Sequence, residues 1–188
     1  MSDARHSPGK LLANVSESSS SRLILLSGPS GCGKTSWCLQ LVQLAGQHKL
    51  SAEGLVSPAV FQAGKKTAID LMMLPHGPSH RLAIRRQEEA KGVLTEEWHF
   101  DESQIAWGER HLASLRNPEL LVIDELGPLE FLNGKGWQAA FPLIEQRAYR
   151  LAVVVIRPGL LSAAQGRWPW AETWHLAPLA TKEDEIAK

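Results

Sequence analysis

The stretch "LILLSGPSGCGKTSWCLQL", residues 23–41, decides the fold. Arg22 to Ser27 is a short, nearly continuous apolar run, the pattern of a strand buried on both faces. After the turn, Trp37, Cys38, Leu41, Val42, Leu44 and Ala45 fall on one stripe of a helix over 34–47. Between them, Gly28, Pro29, Ser30, Gly31, Cys32, Gly33, Lys34 and Thr35 match G-x-x-x-x-G-K-[ST]. The spacing has a physical reason. A phosphate chain needs several N–H donors converging on one point, so the backbone must curl tightly around it, and glycines permit the curl. The helix starting near Gly33 aims its unpaired N–H groups and positive dipole end at the same phosphates. Lys34 is placed to reach the β and γ phosphates and the Thr35 hydroxyl to bind Mg²⁺. Cys32 reads as a small side chain turned away from the phosphates, or as a thiol that makes the loop sensitive to oxidation.

The rest of the chain frames this loop. Its 188 residues suffice for one domain with a real core. Lys+Arg and Asp+Glu both total 20, so no basic excess points to nucleic acid or an anionic membrane. The two cysteines, Cys32 and Cys38, fit neither a zinc site nor a disulfide framework. They read as reduced thiols, which favours the cytoplasm. No apolar run approaches a membrane span, and the N-terminus lacks the apolar core of a secretory signal. Residues 1–21 contain "SESSSS" and read as a disordered leader, 22–180 as the folded domain and 181–188 as a charged tail.

Further strands and helices follow from pattern. Gly54 to Ser57 reads as a short strand. Thr67 to Leu74 and Arg81 to Arg86 flank "PHGPSH", which suggests a β-hairpin insertion. "EEWHF" (96–100) suggests another strand, and Asp101 a helix N-cap, with Ile105, Leu112 and Leu115 on the buried side of that helix. Leu120 to Ile123 and Leu151 to Ile156 are two more buried aliphatic strands. Trp137, Ala140, Phe141, Ile144 and Ala148 have helical spacing, with Pro142 marking a kink or a start. Thr173 to Leu176 suggests a last strand. Buried strands alternating with helices argue for an α/β fold: a mostly parallel sheet with helices on both faces.

"LLVIDELGPLEF" (120–131) supplies what the loop lacks. Aliphatics ending in an acid put a carboxylate at the C-terminal edge of a buried strand, where ligands sit in open α/β sheets. Asp124 is the candidate to hold Mg²⁺ with Thr35. Glu125 points elsewhere and is the candidate to orient and deprotonate a water for in-line attack on the γ-phosphate. Asp124 to Gly127 also spells D-x-x-G, and "TKED" (181–184) matches T-K-x-D, but so close to the chain end it reads as a solvated tail.

Together these segments resemble the cancer-related or thermophile-type nucleoside-triphosphatase family, small P-loop enzymes that hydrolyse nucleoside triphosphates with loose base selectivity. Besides the loop, "GLVSPAVFQAGKKTAIDLMML" is similar to that family's G-F-x-T-x-E-V-R-x-x-G-x-R-x-G-F segment in order and spacing. "HRLAIRR" follows, then "VIDELGPLEF", similar to D-E-I-G-x-M-E-L. The resemblance spans roughly residues 22 to 160. It carries over, at matching positions, Gly28 to Thr35, Asp124, Glu125 and Glu130. Ala59-Val60-Phe61 stands where the family has Glu-Val-Arg, and Lys66 where it has a later Arg.

Other residues admit two readings each. His76 and His80 have metal-ligand spacing, but Pro75, Gly77 and Pro78 forbid a regular helix there, so a solvated turn is expected. Arg85, Arg86, Arg110 and Arg157 are candidates for a charge-stabilising arginine, and the sequence does not choose among them. Trp37 and Trp137 fit core stripes. "RWPW" (167–170), with Trp168 and Trp170, reads as packing on the sheet, a cover for a base, or a surface for a protein partner. The leading expectation is a monomeric P-loop NTPase acting on ATP and/or GTP with Mg²⁺, Lys34 and Glu125 being catalytic. Its rivals are a small-molecule kinase, with Arg81, Arg85 and Arg86 on a hairpin lid, and a nucleotide-gated binding module.

Overall fold

The computed structural model describes residues 6–15, 20–75, 77–85, 93–94 and 97–178. Strand β1 (Arg22–Ser27) runs into the glycine turn and helix α2 (Lys34–Gln47), and a short helix α1 (Pro8–Val15) precedes them. Then come β2 (Ala52–Val56), β3 (Ala59–Gln62), β4 (Lys65–Leu74), β5 (Ser79–Arg85), β6 (Val93–Leu94) and β7 (Trp98–Phe100). Helix α3 (Glu102–Ser114), β8 (Leu120–Leu126), α4 (Pro128–Phe131), α5 (Ala140–Glu145), β9 (Leu151–Ile156), α6 (Leu161–Arg167) and β10 (Glu172–His175) complete the order.

All the strands join one sheet, in the order β10-β1-β9-β8-β2-β4-β5-β7-β6, with β3 paired to β4. The pairings β10–β1, β1–β9, β9–β8 and β8–β2 are parallel. From β4 outward they are antiparallel, and β4 and β5 pair across the turn that follows Leu74. The antiparallel strands therefore continue the sheet edge beyond β2.

Alternation along the parallel strands builds two cores, because successive side chains leave a strand on opposite faces. Leu23 and Leu25, Leu121 and Ile123, and Ala152 and Val154 face one side, with α3, α5 and α6. Ile24 and Leu26, Leu120 and Val122, and Val153 and Val155 face the other, with α1 and α2. The local signals hold. Asp101 caps α3 by accepting from the Ser103 and Gln104 amides, which satisfies N–H groups that have no partner within the helix. Pro142 lies in the first turn of α5, where a missing N–H costs nothing, so the helix starts there and does not kink.

One expectation is corrected. The leader is not disordered throughout: residues 8–15 form α1, and Leu11, Leu12 and Val15 are buried in the α2-side core. Each such leucine contributes about 2 kcal/mol of burial, and Trp37 Nε1 anchors the entry by donating to the His6 carbonyl at 2.8 Å. The "RWPW" segment packs on the core, the first of the readings its sequence allowed. Trp168 is fully buried, stacked on Phe141 and edge-on to Phe131, and Trp170 is half-buried against the same core. His76, Arg86 and "TKED" lie outside the described residues.

Candidate active site

The glycine turn joins β1 to α2 at the C-terminal edge of the parallel sheet. Gly33, at the helix N-cap, has φ +91, a left-handed conformation that favours glycine. No side chain caps α2, so its first-turn amides stay directed at the loop. Pro29, Ser30 and Gly31 are exposed, while Gly28 and Cys32 are buried. Cys32 is buried, its sulfur 3.8 Å from the Lys34 ammonium. The Lys34 ammonium folds into the loop and donates to the Gly28 carbonyl (2.8 Å) and the Pro29 carbonyl (2.7 Å). Beside the loop, the Leu176 N–H donates to the Ser27 carbonyl at 2.8 Å and continues the β10–β1 pairing to its rim.

Strand parity places Asp124. Leu120 and Val122 face α2, and Asp124 is the next residue on that parity. It is buried, it accepts from the Ser57 N–H (3.1 Å), and the Thr35 hydroxyl lies close by. Burial pushes its carboxyl up to about 6, against the pull of the Ser57 amide and the Thr35 hydroxyl; the Glu125 charge adds to the rise and Lys34 opposes it. Thr35 and Asp124 come from opposite ends of the motif pair, and the fold brings them close together.

Glu125 is aimed by a break in the strand. Ile123 and Leu126 both face the α3-side core, and the β8–β9 register shifts between them. One residue too many lies between two inward positions, which is a bulge. Glu125 absorbs it with φ +81, rare for a residue with a side chain. Its carboxylate leaves the sheet at the edge and accepts from Arg157 Nε. Arg157 follows β9, the strand next to β8, so both groups reach the same edge.

Glu130 is not a solvated loop acid. It is buried and accepts from the Gly127 N–H (2.8 Å) and the Trp137 N–H (3.2 Å). Burial raises its carboxyl above the usual range, against those hydrogen bonds. It holds in shape the segment that follows Asp124 and Glu125. Arg85 and Arg110 are exposed, and Arg81 is paired with Asp70 on β4. His80 packs edge-on to Trp107.

Lys66 was legible only as a departure from a motif, and the structure brings it to the site. Half-buried on β4, its ammonium lies over the Trp98 ring, 4.7 Å from the centroid. Burial lowers it below the usual lysine range; the Glu125 charge opposes that most, then Asp124, while Arg157 adds to the fall. Ser57 was also missed. Its N–H holds Asp124, and its buried hydroxyl finds no hydrogen-bond partner among the described residues. Its position just after β2, the strand beside β8, is the only signal that marks it.

The residues present fit a hard divalent cation. Mg²⁺ is held by one or two carboxylates and hydroxyls together with substrate phosphates. Asp124, the Thr35 hydroxyl and the unpartnered Ser57 hydroxyl are a matching set of oxygens. Among the described residues no group of three or more His, Cys, Asp or Glu forms an all-protein cage.

Comparison with known proteins agrees with this geometry. The model of the NTPase family matches residues 23–163. The nucleoside-triphosphatase THEP1 of Thermococcus kodakarensis is 25% identical over 134 residues, 70% of this chain and 74% of that protein. The THEP1 of Methanopyrus kandleri is 23% identical over 108 residues, 57% of this chain and 58% of that one. Among solved structures, a human cancer-related nucleoside triphosphatase superposes with a TM-score of 0.60 at 16% identity, covering 88% of this chain and 93% of the other. THEP1 from Aquifex aeolicus gives 0.53 at 15%, covering 87% and 92%. The two structures share the fold. With its family match covering the phosphate loop, the Asp-Glu strand end and everything between, the chain belongs to the NTPase family.

Proposed function

We propose that the chain hydrolyses nucleoside triphosphates to diphosphate and phosphate, with Mg²⁺ and with loose selectivity for the base. The observation that carries this reading is the pair at the end of β8: Asp124 turned inward on the side of α2, held by the Ser57 N–H, and Glu125 turned outward by the bulge. Gly28 to Thr35 bind the phosphate chain through backbone amides, and Lys34 exchanges the Gly28 and Pro29 carbonyls for phosphate oxygens. Thr35 and Asp124, joined by Ser57, would hold the Mg²⁺, which supplies charge neutralisation between the β and γ phosphates. Glu125 orients a water in line with the γ-phosphate and takes its proton. The water oxygen bonds to the γ-phosphorus, the bridging bond breaks, and its electron pair leaves with the diphosphate. Two buried, unpaired thiols fit a reducing compartment, and we place the activity in the cytosol.

The test is phosphate release from ATP, GTP, CTP and UTP with Mg²⁺. Glu125→Gln is expected to lower kcat by about 10²–10⁴-fold with nucleotide affinity kept. Release no greater than that of Lys34→Ala, with nucleotide still bound, would overturn the reading. The kinase reading has less support, since Arg81 is already committed to Asp70.

A further inference from the structure

The sequence left four arginines as candidates to stabilise charge in the reaction, and the geometry points to one. We propose that Arg157 is a catalytic arginine supplied by the chain itself, with Glu125 as its resting counter-ion and Lys66 as a second cation on the same side of the site. This assignment rests on the hydrolytic reading above.

Three observations carry it. First, Arg157 stands at the C-terminal edge of the sheet, directly after β9, with Pro158 opening the next turn. Proline fixes its own φ and restricts the residue before it to extended backbone, so the guanidinium has a defined origin. Arg157 is extended, at φ −65 and ψ 144. Second, its contact with Glu125 uses Nε and Oε1. Neither partner is sealed in: the side chains are 58% and 36% exposed. An arginine has five donors in a fixed fork that matches phosphate oxygens. The Nη groups can meet a phosphate beside Glu125 without the Nε contact first being broken. Third, a second cation, Lys66, lies near enough for the Glu125 charge to act on it. It comes from β4, beyond β2, and is held on the face of Trp98.

The arrangement explains why Glu125 sits on a bulge. A carboxylate on regular strand parity would enter the α3-side core with Ile123. The extra residue brings it out to the sheet edge, where Arg157 holds and aims it. When the bridging bond to the γ-phosphate breaks, negative charge grows on the leaving oxygen and stays spread over the phosphoryl oxygens. Arg157 then meets that charge through hydrogen bonds alone. It gives up no proton; the water proton goes to Glu125 and from there to solvent. An activating partner that inserts an arginine is not needed for this chemistry.

The experiment compares wild type, Arg157→Ala, Arg157→Lys and Lys66→Met, with Arg167→Ala as a surface ion-pair control, since Arg167 pairs with Glu145. Two quantities are read for each: steady-state phosphate release, and the affinity for nucleoside diphosphate with Mg²⁺ in the presence and absence of aluminium fluoride, which mimics the transferred phosphoryl group. For Arg157→Ala we expect kcat to fall about 10³-fold. Diphosphate affinity is expected to stay, and the gain in affinity from fluoride to disappear. Arg157→Lys restores part of that gain because the charge is kept and the fork is lost. Lys66→Met shows a smaller loss of the same kind, and the control matches wild type. Full turnover in Arg157→Ala overturns the assignment while leaving the hydrolytic reading intact. So does a fall in kcat with the fluoride gain unchanged, since Arg157 would then only position Glu125. A wild-type chain that binds nucleotide and releases no phosphate overturns both.

Discussion

Asp124 shows what a single residue contributes and what it costs. Its carboxyl is buried and titrates near 6, above the ordinary 3.8. From pH ~4 to ~6 the folded chain therefore keeps a proton that the unfolded chain has released. Without nucleotide or divalent metal, stability falls as the pH rises through that window and is level above it. Asp124→Asn has no such charge to bury. Urea titrations at pH 4, 5, 6 and 7.5 should find it equal to wild type at the lowest pH and more stable by about 1–3 kcal/mol at the highest. A difference that does not change with pH would show that the ionised carboxylate is not the burdened form. Cys38 gives a second reading of burial at this scale. It is fully buried and its thiol is pushed well above the usual range, so a thiol reagent should label it only when the chain unfolds. Rapid labelling in the native state would contradict that packing.

At the scale of elements, three local devices set the frame. The N-cap of α3 is one: Asp101→Ala should remove about 1 kcal/mol. Hydrogen bonds from Ser103 lower the Asp101 carboxyl below its ordinary value. Its contribution is thus present above pH ~4 and lost as the pH falls below it. The join between the parallel and antiparallel parts of the sheet is the second. Gly54 in β2 has φ +124, and a Cβ there would run into the Val122 carbonyl of β8. Gly54→Ala should cost about 3 kcal/mol or more, and should disturb Asp124 through its neighbour Ser57. Loss of stability without loss of activity would separate the join from the site. The third is α1. An eight-residue helix is marginal alone. Its leucines explain why it forms here, and Leu11→Ala should destabilise the whole fold by about 2–4 kcal/mol in denaturant titration. An unchanged midpoint would mean that the helix is dispensable.

Across the whole molecule, the site is the meeting place of distant segments. The loop after β1, the end of β2, β4, the bulge in β8 and the end of β9 all reach one edge of one sheet. In the proposed function, nucleotide with Mg²⁺ touches several of them at once and binds only the folded state. At about 100 times its dissociation constant it should add about 2.7 kcal/mol. For a chain of this length that is a rise in Tm of about 5–10 °C. Lys34→Ala should lose the rise, while Glu125→Gln should keep it. A thermal shift that survives Lys34→Ala would place the nucleotide elsewhere. Helices on both faces, the parallel core and the antiparallel continuation beyond β2 serve this edge alike. Among the described residues no helix is long and apolar enough to cross a membrane.

What the sequence determined by itself was whatever depends on neighbours a few positions apart. The strand-turn-helix around Gly28 to Thr35, the acids ending β8, the cap at Asp101 and the start of α5 at Pro142 all follow from short-range sterics, hydrogen bonds and periodicity. Tertiary structure decided the rest, because it turns on contacts between remote segments. His6 meets Trp37 across 31 positions, and Arg157 meets Glu125 across 32. Leu11 and Leu12 look like part of a polar leader until α2 and the sheet supply the surface that buries them. Trp168 admits packing, base cover or docking until Phe131 and Phe141 close over it. Lys66 looks like a lost arginine until β4 carries it onto the face of Trp98, within range of the Glu125 charge. The bulge that aims Glu125 exists only as a mismatch between β8 and β9, and no reading of one strand contains it.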